Sequence, residues 1–192
     1  MPAARPHRFS SSGPCSRAVL PLRRAAAAFL LALAACSPAI DWREVHVTDG
    51  GTDLRVPFPC RPARVERALP LAGQPLVLAL QSCEAGGLTV GLATAEVGNP
   101  AQVAPVLAAL ADGARRGLDA MPQATEAAAV PGATPGAVRL HLQGRRPDGS
   151  AVHKDVWLFS RGTRVYQATL VGSALAPADQ AAFRDGLHFQ GP

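Results

Sequence analysis

His153 and Asp155 stand two residues apart, a spacing that puts both side chains on one face of an extended strand. An imidazole beside a carboxylate suits two kinds of chemistry. It can be a base with its orienter, or two ligands of a metal centre. A metal centre needs a third ligand, and none is identified near the pair. The plainer expectation is a surface histidine beside a partly buried carboxylate, which then needs a partner such as Arg139 or a neighbour of Lys154, or a place at the sheet margin. Other signatures are missing. Ser160 and Ser173 are not set in a G-x-S-x-G elbow. There is no G-x-G-x-x-G, no phosphate loop ending in G-K-[ST], and no H-E-x-x-H. No catalytic residue, no cofactor and no metal ligand is assigned on these grounds.

The four cysteines, Cys15, Cys36, Cys60 and Cys83, divide by position. Arg23-Arg24 precedes an apolar run from Ala25 to Ala35. That run is far shorter than the roughly twenty residues of a bilayer-spanning helix. A basic region, a short apolar core and small residues at its end describe a secretory signal over residues 1–35. Cys15 leaves with that signal. Cys60 and Cys83 remain as an even pair in an exported domain, and a structural disulfide is expected between them.

The signal ends Leu33-Ala34-Ala35-Cys36, which resembles the lipobox of bacterial lipoproteins. The resemblance implies cleavage before Cys36, a diacylglycerol on its thiol and an acylated new amino terminus. Residues 36–41 then form a lipidated tether. Ser37, where inner-membrane lipoproteins carry Asp, implies the periplasmic face of the outer membrane. Several acyl chains, each buried CH₂ adding about 0.8 kcal/mol, hold a folded domain firmly to the bilayer.

Removal of the signal changes the charge. The chain of 192 residues carries a formal charge of +5, from nineteen basic and fourteen acidic residues. Five of the basic residues and none of the acidic ones precede Cys36. The remainder is formally neutral, so no nucleic-acid partner is expected. Arg61, Arg64 and Arg67, and the Arg145-Arg146 pair, are local basic groups; the plainer reading is a solvated strand face, and the alternative is contact with the lipid headgroups that a tethered domain meets.

The elements that position these residues follow from periodicity. Arg43 to Val47, Leu54 to Phe58 and Arg61 to Leu69 read as strands, with a turn at Asp49-Gly50-Gly51. Leu76, Leu78 and Leu80 alternate toward Cys83. After Gly86-Gly87, Leu88, Val90 and Leu92 alternate again, which predicts a hairpin. Asn99-Pro100 opens a helix with an apolar stripe of Val103, Val106, Leu107, Leu110, Ala114 and Leu118. Met121 to Gly136, with three prolines and no periodicity, reads as a loop. Strands follow over Val138–Gln143, Ala151–Phe159 and Arg164–Val171, with tight turns at Asp148-Gly149 and Arg161-Gly162. This register places Leu140, Trp157 and Tyr166 side by side, with Val138, Phe159, Ala168 and Leu170 on the same face. Pro177 starts a closing helix that packs through Ala178, Ala181, Ala182 and Phe183.

The sum is one α+β domain over residues 42–190, an antiparallel β-sheet of five to seven strands covered by two helices. The element order resembles the PsbP-like and Mog1-like α/β/α sandwich. Phe58-Pro59-Cys60-Arg61-Pro62 and the segment from Arg161 to Thr169 resemble small bacterial lipoproteins of unassigned function. PsbP-like domains act mostly as accessory or binding modules, so the resemblance implies a membrane-anchored cell-envelope protein without catalytic activity. Its partners are the lipid bilayer, through acylated Cys36, and an envelope protein. The alternative reading is an envelope enzyme with a small polar site around His153 and Asp155.

Overall fold

A computed structural model describes residues 40–116 and 121–191. The signal segment, Cys36, most of the tether and Leu118 lie outside the described residues. Residues 40–192 form one compact unit. Its strands are β1 (Arg43–Val47), β2 (Leu54–Phe58), β3 (Ala63–Leu71), β4 (Gln74–Ala85), β5 (Leu88–Glu96), β6 (Met121–Ala127), β7 (Val138–Arg145), β8 (Ala151–Arg161), β9 (Arg164–Gly172) and β10 (His188–Phe189). Helix α1 (Pro100–Arg115) follows β5 and helix α2 (Pro177–Gly186) follows β9.

Seven strands form the main sheet in the order β3-β4-β5-β9-β8-β7-β6, with antiparallel neighbours throughout. The first two strands do not join it. They pair with β10 in a separate three-stranded sheet, β1-β2-β10. Val47, Leu54, Val56, Phe58 and Phe189 from that small sheet share a core with Val90, Leu92, Trp157, Phe159, Tyr166 and Ala168 of the main sheet, and with Phe183 of α2. The opposite face meets α1: Val106, Leu110 and Ala114 pack on Leu78, Leu140, Val156, Leu158 and Val165. The layers are therefore α1, the large sheet, and a third layer made jointly of α2 and the small sheet.

Local sequence explains the best-read elements. Asn99 caps α1 by accepting the Ala101 amide at 3.0 Å, and Pro100 starts the helix where no amide is needed. Gly86 and Gly87 both have positive φ, the backbone that a two-residue turn between β4 and β5 requires.

Two expectations are corrected. Met121–Ala127 is a strand, not a loop; β6 pairs with β7 as an edge of the sheet, with an irregularity between Pro122 and Ala124. An edge strand has only one partner, so it tolerates Pro and needs no strong alternation. The β7–β8 register also differs. The connection runs over Arg146 to Ser150 rather than a two-residue Asp148-Gly149 turn, and Arg139, not Leu140, stands opposite Trp157. A one-residue slip exchanges the faces. Leu140 and Val138 thus lie on the α1 side, while Trp157, Phe159, Tyr166, Ala168 and Leu170 keep the other face. In α2, Phe183 is the fully buried residue, and the three alanines pack less deeply than expected.

Candidate functional site

The corrected register assembles the polar cluster of the molecule. Glu126 on β6 stands opposite Arg139 on β7, and His141 on β7 stands opposite Asp155 on β8. Gln143 stands opposite His153 in the next pair. All six side chains belong to the face covered by α2, which contributes Gln180.

Asp155 is the buried centre, at 4% exposure. A carboxylate so placed must have partners, and each oxygen has one. Arg139 donates from Nη2 to Oδ2 at 2.5 Å, and His141 Nδ1 lies 2.6 Å from Oδ1. The same Arg139 nitrogen donates to Gln180 Oε1 at 2.9 Å, and Gln180 in turn donates to the Leu175 carbonyl at 2.9 Å. The guanidinium also lies over the Trp157 ring, 4.7 Å from its centroid. One strand and one helix are thus tied through a single arginine.

The second nitrogen of His141, Nε2, lies 2.9 Å from Glu126 Oε1. The imidazole spans two carboxylates, and only its doubly protonated form donates to both. The hydrogen bond from His141 holds the Glu126 carboxyl below its ordinary range, and the charges of His141 and Arg139 act in the same direction.

A cleft of about 340 Å³ opens beside this cluster, lined by His141, Gln143, His153, Asp155, Leu175 and Gln180. His153 and Asp155 do share a face, as their spacing requires. Asp155, however, is engaged by Arg139, as its burial demanded, and by His141 rather than His153. His141 belongs with His153 and Asp155 to the polar groups that the enzyme reading expects to meet in one pocket, and all three line this cleft; Glu126 and Gln180, which come from other elements, are outside that expectation. Reading β6 as a loop hides Glu126, and the shifted register hides the pairing of His141 with Asp155. Among the described residues, no group of three or more His, Cys, Asp or Glu is arranged to hold a metal.

The disulfide is present. Cys60 and Cys83 are bonded with a Cα–Cα distance of 5.9 Å. Cys60 lies just beyond β2 of the small sheet, and Cys83 lies within β4 of the large one, so the bond staples the two sheets. On the α1 side, Val65 and Leu69 of β3 stay 51% and 40% exposed. They border a shallow apolar surface with Leu71 and Leu80 beside α1. The basic groups separate: Arg64 is paired with Asp49 and Glu66, while Arg145 and Arg146 donate to oxygens of their own turn and strand.

Among the described residues, no helix is long and apolar enough to cross a membrane. No protein-family model matches the chain, and no curated protein sequence matches it. Among solved structures, the chain is similar to a crystal structure of a Pseudomonas aeruginosa protein of unknown function, described as a candidate regulator. That similarity has a TM-score of 0.35 and 16% identity, and covers 73% of this chain and 88% of the other. A likeness at this level assigns neither fold family nor function.

Proposed function

We propose that this chain is a lipid-anchored protein of the bacterial cell envelope whose folded domain, with the PsbP-like or Mog1-like sandwich order, serves as a binding or accessory module. The anchor is acylated Cys36, and the location is the periplasmic face of the outer membrane. The observation that carries the binding reading is the closure of the polar cluster. Both ring nitrogens of His141 and both oxygens of Asp155 are engaged by protein groups. A general base needs a free lone pair in reach of its substrate, and this imidazole directs both nitrogens at carboxylates.

The exposed Val65 and Leu69 support contact with another envelope protein, since neighbouring apolar side chains left open on a surface mark an interaction site. The test is chemical crosslinking in membranes of producing cells, comparing wild type with Val65→Asp/Leu69→Asp. The expected result is a discrete adduct of one mass that the variant loses. No adduct, together with substrate turnover that His141→Ala abolishes, would favour the enzyme reading instead.

A further inference from the structure

The position of the first described residue bears on how an anchored domain meets its membrane. Ile40 lies only four peptide steps after Cys36, a span of at most about 14 Å when fully extended. Its side chain is held against the β4–β5 turn. A Cβ placed on Gly86 would stand 3.0 Å from Ile40 Cγ1 and 3.2 Å from its Cδ1. Ile40 and Trp42 both pack against the aromatic core, so the chain is pinned where it arrives.

Register shows what else shares that end of the sheet. Leu88, beside the turn, pairs with Gly172; Gly172 pairs with His153; Arg145 pairs with Ala151. The Arg146–Ser150 connection therefore lies at the same end as Gly86-Gly87. Glu84, Gly87, Arg146, Asp148 and Ser173 line one shallow depression there, which confirms that the two turns are neighbours. Arg61 is at this end too, because Cys60 is bonded to Cys83 and β3 starts opposite Ser82. The opposite end carries the Ala72-Gly73 and Gly162-Thr163 turns. Strand β8 has eleven residues, so the two ends are separated by about 35 Å, well beyond the reach of the tether.

We propose that the end bearing Gly86-Gly87 and the Arg146–Ser150 turn is the membrane-facing end, where Arg61, Arg145 and Arg146 meet the phosphates of lipid headgroups. This rests on acylation of Cys36. The three arginines are exposed, and among the described residues none is in an ion pair. Arg145 donates to the Gly149 carbonyl and Arg146 to the Ser150 hydroxyl, so their positive charges stay available. Glu84 and Asp148 at the same end keep the surface near neutrality. The tether therefore brings this end to the bilayer, and the three arginines hold it against the phosphates.

The test is amide hydrogen exchange on the membrane-extracted protein in vesicles of phosphatidylethanolamine and phosphatidylglycerol. The reference is the Cys36→Ser full chain with the same vesicles, and intact mass is recorded on each sample. The expected result is exchange slowed at least about threefold at residues 85–88 and 146–150, with residues 72–73 and 161–163 unchanged. Slowing at the far turns, along one face, or nowhere in an acylated sample would overturn the orientation while leaving the anchor intact. A mass without acyl chains would overturn the anchor itself, and the orientation with it. Arg61→Glu/Arg145→Glu/Arg146→Glu should stay acylated and lose most of the protection. Full protection in that variant would remove the arginines from the contact.

Discussion

Removing the guanidinium that neutralises Asp155 should be among the most damaging single changes in the domain. In Arg139→Met, Asp155 keeps His141 but loses its shortest contact, and Gln180 loses the donor to its carbonyl oxygen. The side chains of Arg139 and Asp155 are only 11% and 5% exposed, so water does not replace the lost partner. Breaking a buried pair from one side costs about 3–5 kcal/mol. The remaining His141 contact places this case near about 3 kcal/mol. For a domain of this size that lowers Tm by roughly 6–12 °C, a large share of a total stability of about 5–15 kcal/mol. Arg139→Met/Asp155→Leu removes both charges and should recover most of the loss. The assay is urea unfolding of the oxidised protein at neutral pH for wild type, both single variants and the double. A loss below about 1 kcal/mol in Arg139→Met, the range of an exposed pair, would refute the buried-network account. So would a double variant as unstable as the two single losses added.

Reduction of the Cys60–Cys83 bond, or Cys60→Ala/Cys83→Ala, opens a link across a sequence separation of 23 residues. It should cost about 3 kcal/mol in the chain-entropy account. An unchanged urea midpoint after reduction would deny the staple its role. Glu126 gives a pH signature. Its folded-state pKa lies below the ordinary 4.5, chiefly through the His141 hydrogen bond. Its contribution is therefore present above the unfolded value and lost as pH falls through the folded one. The Tm difference between wild type and Glu126→Gln should be open at neutral pH and close in the acid range. A difference that persists in acid would contradict the His141–Glu126 contact.

Much of the scaffold is legible in the chain because it rests on strong local signals. The alternation around Gly86-Gly87, the Asn99 cap and the paired Cys60 and Cys83 each lead directly to the β4–β5 hairpin, α1 and the disulfide. The site was less legible because it depends on register and on an edge strand. Pro147-Asp148-Gly149-Ser150 looks like a two-residue turn, yet the chain closes one residue differently and exchanges the faces of β7. That single step decides whether Leu140 or Arg139 meets Trp157, and so whether Asp155 finds its guanidinium. Glu126 lies in a strand whose single partner and alanine-rich composition leave no period to read. The small sheet is not legible for a related reason: β10 has only two residues, and it is their pairing with Arg55 and Leu54 of β2 rather than any pattern that makes them a strand.

The central claim is an anchored, disulfide-stapled envelope domain, and intact mass of the membrane-extracted protein tests it most directly. The account predicts a mature chain starting at Cys36, carrying a diacylglyceryl group and amino-terminal acylation, and gaining about two daltons on reduction of its single disulfide. A chain that begins elsewhere and carries no acyl group would contradict it.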